Sequence, residues 1–169
     1  MNRSGTGNEY KTWGKGRVNR LADYDYAADR PIHLTMCALD KKPVFGHGDE
    51  AETIIAELSG LAQELEYKVL CYCLMPDHLH VIVSPGDSGL ALSKFLHLFK
   101  GRTAAAFRNR FGISNLWQQS AYDHVLRAGE DLKAVIQYVL NNPVRKGLVE
   151  SSGDYPYSRW FEEVTARYL

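Results

Sequence analysis

The chain of 169 residues is long enough for one domain with a buried core and too short for two domains of ordinary size. Hydrophobic residues make up 45% of it, which excludes a largely disordered protein, and no apolar run is long enough to cross a bilayer. Its 20 Lys and Arg residues balance 20 Asp and Glu residues, so the net charge does not by itself indicate a nucleic-acid-binding protein.

Hydrophobic periodicity divides the chain into alternating strand-like and helical segments. In chain order, the pattern predicts a polar lead-in, a strand over 32–39, a helix over 49–66, strands over 67–75 and 78–85, a helix over 88–112, a strand or extended segment over 116–127 and a helix over 129–143. Pro143 disfavours helix at Asn142 and is expected to end the last of these helices. The remaining tail mixes aromatic residues with turns and allows a short helix near its end.

This order of elements predicts an α+β fold, a ferredoxin-like antiparallel sheet backed by helices. We expect a basic N-terminal arm over 1–25, the main domain over 26–150, and a C-terminal tail over 151–169 that packs on or near it. The chain start lacks the apolar stretch of a signal peptide, and Cys37, Cys71 and Cys73 lie in strand-like segments as expected for buried free thiols. Both features favour a cytoplasmic location.

The stretch "CYCLMPDHLHVIV" places two histidines two residues apart on a predicted strand that follows a tight Met-Pro-Asp turn. Residues i and i+2 of a strand face the same way, so His78 and His80 share one face. Two imidazoles with an oxygen donor suit a divalent metal ion. Two alternatives stay open from this motif alone: a pair of structural histidines, or a zinc site that also uses Cys71 and Cys73.

Tyr138 and Asn142 are four residues apart on the last predicted helix and therefore share a helix face. A tyrosine can act as a nucleophile when a metal or positive charge assists loss of its proton and neutralises a phosphate. The alternative is a tyrosine at the edge of the core and an asparagine that ends the helix.

Two basic regions could follow a nucleic-acid backbone, and aromatic residues near them could stack on unpaired bases. Residues 1–22 contain five basic residues and one acid, and residues 94–110 contain five basic residues and no acid. The candidate DNA contacts are Lys11, Lys15, Arg17, Arg20, Lys94, Lys100, Arg102, Arg108 and Trp117.

Several segments occur in the order seen in single-tyrosine HUH transposases: "YCLMPDHLHVIV", "FKGRTAAAF", "LWQQSAYDHVLR", "YVLNNPVRKGLV" and "YPYSR". Together with the opening "RLADYDYAADRPIHLTMCAL", they resemble the REP-associated tyrosine transposase branch of these enzymes. The similarity extends over nearly the whole chain. The joint presence of the histidine pair and the Tyr-Val-Leu-Asn-Asn-Pro-Val segment is far more specific than either motif alone.

The resemblance implies an HUH endonuclease fold and a set of residue roles. His78 and His80 would bind a divalent cation, Mg²⁺ or Mn²⁺, with Asn142 as the third, amide-type ligand. Tyr138 would attack a phosphodiester of single-stranded DNA, giving a 5′-phosphotyrosine and a free 3′-hydroxyl. The implied partner is single-stranded DNA with REP-like hairpins, bound by a monomer or homodimer away from membranes. His124 recurs in the family pattern without an assigned role.

Two other functions remain open from the residues. One is a module, derived from a domesticated transposase, that binds structured nucleic acid without cleaving it. The other is a small metallohydrolase in which the histidine pair holds a metal-activated water. A covalent DNA adduct that depends on Tyr138 would distinguish the transposase from both.

Overall fold

The computed structural model describes residues 25, 27–46, 48–119, 121–126 and 131–169, and only the backbone of residues 123 and 124. The predicted arm over 1–25 therefore lies almost wholly outside the described residues. The strands are β1 (Ile32–Cys37), β2 (Lys68–Met75), β3 (His78–Ser84), β4 (Tyr122–Val125) and β5 (Ser158–Trp160). The helices are α1 (Gly48–Glu64), α2 (Leu92–Phe111), α3 (Leu132–Leu140), α4 (Asn142–Arg145) and α5 (Glu162–Thr165).

The strands form one antiparallel sheet in the order β4-β1-β3-β2-β5. The two central strands, β2 and β3, are joined by the tight turn at Pro76 and Asp77. The four strands from β1 to β4 have the order and direction of a ferredoxin-like sheet, with β5 added at the β2 edge. The predicted α+β fold is confirmed.

One face of the sheet packs against α1 and α2. Alternate residues of β1 and β3 point to this face and are fully buried, as period-2 alternation requires. Aromatic rings from α2 complete the layer, with Phe95, Phe99 and Phe107 all at 0% exposure. The main apolar core therefore lies between the sheet and these two helices.

The opposite face packs against α3. Its buried helix positions are Leu132, Val135, Ile136 and Val139, as the sequence pattern predicts. They contact a second apolar cluster that includes Cys71, Cys73 and Ile82 from the central strands. The three cysteines are free thiols, and Cys71 and Cys73 are buried. This smaller core fixes α3 across the middle of the sheet.

In the described part of 116–127, β4 is regular strand and Trp117 makes an isolated bridge to Ala38, in line with the predicted strand or extended segment. One sequence prediction needs correction. The helical path does not end at Asn142, because α4 continues it to Arg145 with Pro143 in its first turn. Proline is accepted there because the Asn142 side chain donates to the Val139 carbonyl, which the missing N–H of Pro143 would otherwise bond.

The C-terminal residues extend the sheet at the β2 edge. β5 pairs with β2, and the Phe161 amide donates to the Leu70 carbonyl at 2.9 Å. The short predicted helix near the chain end is present as α5. None of the helices in the described ranges has the length and apolar character to cross a membrane.

Candidate active site

The histidine pair lies at the start of β3, on the face that α3 packs against. His78 and His80 point to this face, whereas Leu79 and Val81 point into the α1/α2 core, as the sequence predicts. His78 Nδ1 lies 2.5 Å from Asp77 Oδ1. This carboxylate accepts from Nδ1–H and so directs the Nε2 lone pair of His78 away from the turn.

His80 is held by two side chains of β1. Its Nδ1 lies 3.0 Å from Thr35 Oγ1 and 3.2 Å from His33 Nε2. Both partners come from the neighbouring strand, where Thr35 pairs directly with His80. These contacts fix the orientation of the ring. The second nitrogen of a metal-binding histidine is usually held in the same way, so the arrangement is compatible with His80 as a candidate ligand.

The buried position of His80 determines its protonation state. Only 7% of the residue is exposed, and burial holds its pKa well below the usual value, with further lowering by His33, His78 and Arg145. His80 is therefore neutral at pH 7, which is the form of imidazole that binds metals.

The two Nε2 atoms, His78 Nε2 and His80 Nε2, lie 3.1 Å apart. In the tautomers in which Nδ1 of both rings carries the proton, the two Nε2 lone pairs face each other with no proton between them. A cation held by both nitrogens would remove this repulsion. Two ligands bound at right angles to one ion at about 2.1 Å lie about 3 Å apart, so the spacing fits one divalent ion.

Asn142 is buried, with 6% of the residue exposed, at the junction of α3 and α4. Pro143 lacks the N–H that would bond the carbonyl four residues earlier, and Asn142 Nδ2 donates to this Val139 carbonyl at 3.1 Å. Nδ2 also donates to the Tyr138 carbonyl at 2.9 Å. Because both partners are acceptors, the amide nitrogen faces them, and Oδ1 is the atom that can act as a metal ligand.

The donor set therefore fits a hard divalent ion held by two imidazoles and one amide oxygen. In the described part of the chain, no group of three or more His, Cys, Asp and Glu side chains could hold a metal ion. The alternative zinc site that joins Cys71 and Cys73 to the histidines is thus wrong. Burial also raises the pKa of Cys73 to about 12, which disfavours the thiolate that zinc requires.

The helix α3 brings Tyr138 to the histidines. The Tyr138 ring centroid lies 6.2 Å from that of His80 and 6.3 Å from that of His33, edge-on in both cases. Tyr138 is half-buried, because it sits beside the stripe of α3 that packs on the sheet. The guanidinium carbon of Arg145 lies 4.7 Å from the Tyr138 ring centroid.

Four residues of this site were not predicted from the sequence: His33, Thr35, Asp77 and Arg145. The alternation of polar and apolar residues within "IHLTMC" could have predicted that His33 and Thr35 share one strand face. The backbone of His124 lies opposite His33 in the β1–β4 register. Its role stays unassigned.

The predicted DNA-contacting residues of α2 have different surroundings. Lys94 and Arg108 are exposed, but Arg102 makes two hydrogen bonds to the Glu64 carboxylate, at 2.6 and 2.8 Å. Lys100 Nζ donates to the Gln118 carbonyl at 2.9 Å, and burial lowers the pKa of Lys100. Part of the basic surface of α2 is therefore already bonded within the protein: Glu64 neutralises Arg102, and the Gln118 carbonyl binds Lys100.

Trp117 is half-buried and tied to the α1/α2 core. Its indole N–H donates to Thr103 Oγ1 at 2.8 Å, and its ring packs on Phe45 and Phe99. Its stacking on DNA stays a prediction. Lys11, Lys15, Arg17 and Arg20 lie outside the described residues.

Comparison with curated proteins finds similarity to two bacterial relatives. The chain is 27% identical over 100 residues to the REP-associated tyrosine transposase of Escherichia coli K12, covering 58% of this chain and 57% of the relative. It is 27% identical over 110 residues to a Haemophilus influenzae protein provisionally given the same name, covering 59% of this chain and 62% of the relative. The match thus spans about three fifths of the length of these relatives.

Comparison with solved structures supports the fold. A REP-associated tyrosine transposase bound to a REP hairpin superposes with a TM-score of 0.69 and 20% identity, over 93% of this chain and 88% of that one. A provisionally named transposase of Deinococcus radiodurans has a TM-score of 0.52 and 23% identity, over 77% of this chain and 97% of that one.

The model of one protein family, described as "Transposase IS200 like", matches residues 28–142. This range includes β1, both histidines, Tyr138 and Asn142, and it ends at the amide that we identify as the third candidate ligand. The resemblance to REP-associated tyrosine transposases is confirmed, and the chain belongs to the IS200-like transposase family.

Proposed function

We propose that the protein is a metal-dependent transposase that cleaves and rejoins single-stranded DNA beside hairpins through a 5′-phosphotyrosine intermediate. The observation that carries this proposal is the approach of the Tyr138 ring to within 6.2 Å of the His80 ring in one chain. A candidate nucleophile and candidate metal ligands that share one site are the arrangement that covalent phosphoryl transfer needs.

In the proposed reaction, the Tyr138 oxygen forms a bond to phosphorus and the bond from phosphorus to the 3′ oxygen breaks. The phenol proton passes to water, and the leaving 3′ oxygen takes a proton from water and becomes a hydroxyl. His78, His80 and Asn142 would hold Mg²⁺ or Mn²⁺, which polarises the scissile phosphate when bound. Asp77 and Thr35 would orient the two imidazoles.

The reaction conserves the energy of the phosphodiester in the phosphotyrosine bond, so strand transfer needs no nucleotide cofactor. A 3′-hydroxyl attacks the phosphotyrosine in the reverse direction and joins a new DNA end. The presence of Tyr138 beside its own chain's histidines supports action within one subunit.

The proposed substrate class is single-stranded DNA with a folded hairpin. It is supported by the related transposase whose structure contains a REP hairpin. The exposed cations of α2, Lys94 and Arg108, are candidate contacts to the hairpin phosphates.

The test incubates the protein with hairpin-bearing single-stranded DNA that is labelled 3′ to the cleavage site, because the 5′-phosphotyrosine retains that strand. We expect a covalent adduct on a denaturing gel that requires Mn²⁺ or Mg²⁺ and disappears with EDTA. Tyr138→Phe should abolish it, because a phenyl ring has no nucleophilic oxygen.

Tyr155→Phe is the matched control. Tyr155 belongs to the same face of the sheet, and its hydroxyl donates to the Leu74 carbonyl at 2.8 Å. Its loss should cost about 1 kcal/mol of stability and leave the adduct unchanged. Equal adduct from Tyr138→Phe and the parent would overturn the mechanism. DNA binding without cleavage under any divalent ion would favour the binding module, and hydrolysis that survives Tyr138→Phe would favour the metallohydrolase.

A further inference from the structure

Arg145 shares a helix face with the two residues already placed in the site. Tyr138, Asn142 and Arg145 follow the spacing i, i+4 and i+7, which recurs on one side of a helix. The helical path stays continuous past Pro143, since the Arg145 amide donates to the Asn141 carbonyl at 3.0 Å. Without that continuation, Arg145 would not face the site.

The guanidinium of Arg145 has no carboxylate partner in the described part of the chain. It lies over the face of the Tyr138 ring, with 4.7 Å between Arg145 Cζ and the ring centroid. Other arginines are committed to acids: Arg102 to Glu64, and Arg167 to Asp29 and Asp87. Among the residues that the structure describes, no carboxylate therefore offsets the positive charge of Arg145 beside the candidate nucleophile.

An exposed arginine that stacks on an aromatic ring keeps its planar fork of N–H donors available for another ligand. This fork matches the geometry of a phosphate, which it binds through two parallel hydrogen bonds. Cationic clamps of this kind stabilise the charge that develops on a phosphoryl group during its transfer. Attack by Tyr138 brings this phosphoryl group to the oxygen of the ring on which Arg145 lies.

We propose that Arg145 is a further catalytic residue, the cation that binds the non-bridging oxygens of the phosphoryl group as it passes between the DNA 3′ oxygen and Tyr138. This proposal rests on the proposed function. The bond from the Tyr138 oxygen to phosphorus forms, the bond to the 3′ oxygen breaks, and the proton moves by way of water from the phenol to the 3′ oxygen. Arg145 stays protonated throughout and exchanges its contact with the ring for contacts with the phosphoryl oxygens.

The test measures single-turnover adduct formation for the parent, Arg145→Gln and Arg145→Lys with saturating hairpin DNA and Mn²⁺. We expect the rate constant to fall about 100-fold in Arg145→Gln, as when one preorganised donor to a transition state is removed. Arg145→Lys should recover part of the loss, because it restores the charge without the planar fork. The rejoining rate should fall by the same factor, since it passes through the same transition state.

Arg159→Gln is the matched control. Arg159 is also exposed and stacked on an aromatic ring, with Cζ 4.7 Å from the centroid of Phe161, but that ring is not a nucleophile. This change should leave the rate within about twofold. Thermal unfolding and the DNA dissociation constant of each variant separate a loss of folding or binding from a loss of rate.

The outcomes separate the two proposals. If the parent forms no adduct, the proposed function fails and the role of Arg145 fails with it. If the parent forms the adduct and Arg145→Gln forms it at the parental rate, only the role of Arg145 is overturned. The role is also overturned if Arg145→Gln is slower than the parent only at limiting DNA and reaches the parental rate at saturating DNA, since the defect would then be in binding.

Discussion

The two faces of the sheet use alternate residues of the same strands for different purposes. Toward α1 and α2, β3 presents Leu79, Val81 and Val83, all at 0% exposure and surrounded by apolar side chains. Toward α3, the same strand presents His78 and His80 at one end and Ile82 further along. The first face is an apolar layer along its whole length. On the second face, the side chains change from apolar at Ile82 to polar at His80 and His78 within a few residues.

This difference shows how a small domain can bury a histidine, His80, and still keep an apolar core. The α1/α2 layer supplies most of the large buried side chains, so the α3 face does not need to be apolar throughout. The polar end of the α3 face is stabilised by hydrogen bonds to His80 from β1 instead. Changes on the two faces should therefore separate stability from activity.

The largest expected effect on stability comes from Phe99→Ala on the α1/α2 face. Phe99 is fully buried between Phe95 and Trp117, so the truncation leaves a cavity and should lower the free energy of unfolding by about 3–5 kcal/mol. Urea denaturation measures this change. Adduct formation by the remaining folded protein should be unchanged, and its selective loss would contradict the separation of the faces.

His80→Ala should show the reverse pattern. It removes one of the candidate metal ligands, so Mn²⁺-dependent adduct formation should fall at least about 100-fold. The free energy of unfolding should fall less than in Phe99→Ala. Single-turnover assays and urea denaturation of both variants give the comparison, and retained Mn²⁺-dependent activity in His80→Ala would remove this residue from the metal site.

Thr35→Val should have a smaller effect on the same site. The change keeps the side-chain shape but removes the hydroxyl that lies 3.0 Å from His80 Nδ1. Loss of such an orienting contact typically lowers metal affinity about 10- to 100-fold. The Mn²⁺ dependence of adduct formation and direct Mn²⁺ binding by electron paramagnetic resonance both measure it.

Thr53→Val is the matched control on α1, where the hydroxyl donates to the Asp49 carbonyl and accepts from Arg110. It should leave Mn²⁺ affinity unchanged. Equal losses in the two threonine variants would mean that Thr35 has no specific role at His80.

The smallest expected effect concerns the basic surface of α2. Lys94→Gln and Arg108→Gln remove exposed cations, so each that contacts a phosphate should reduce the salt dependence of hairpin binding by about one unit of slope. Arg102→Gln should change the slope less, because Glu64 already neutralises Arg102. Fluorescence anisotropy at several salt concentrations measures the slopes, and an Arg102 effect larger than the other two would contradict this order.

The sequence by itself determined the elements whose pattern is local. Alternation in "HLHVIV" placed both histidines on one face, the Met-Pro-Asp turn fixed the β2–β3 hairpin, and helical spacing gave the buried stripe of α3. These features depend on residues within a few positions of one another. The resemblance then indicated the joint roles of the histidine pair and Tyr138.

Only the tertiary structure decided which distant groups complete the site. His33 and Thr35 reach His80 because β1 inserts beside β3, and no local pattern encodes that pairing. The position of Arg145 depended on whether the helix passed Pro143, which local rules predicted wrongly because the Asn142 side chain replaces the missing backbone donor. Local periodicity fixes the direction of a side chain, whereas its partners depend on how the elements pack.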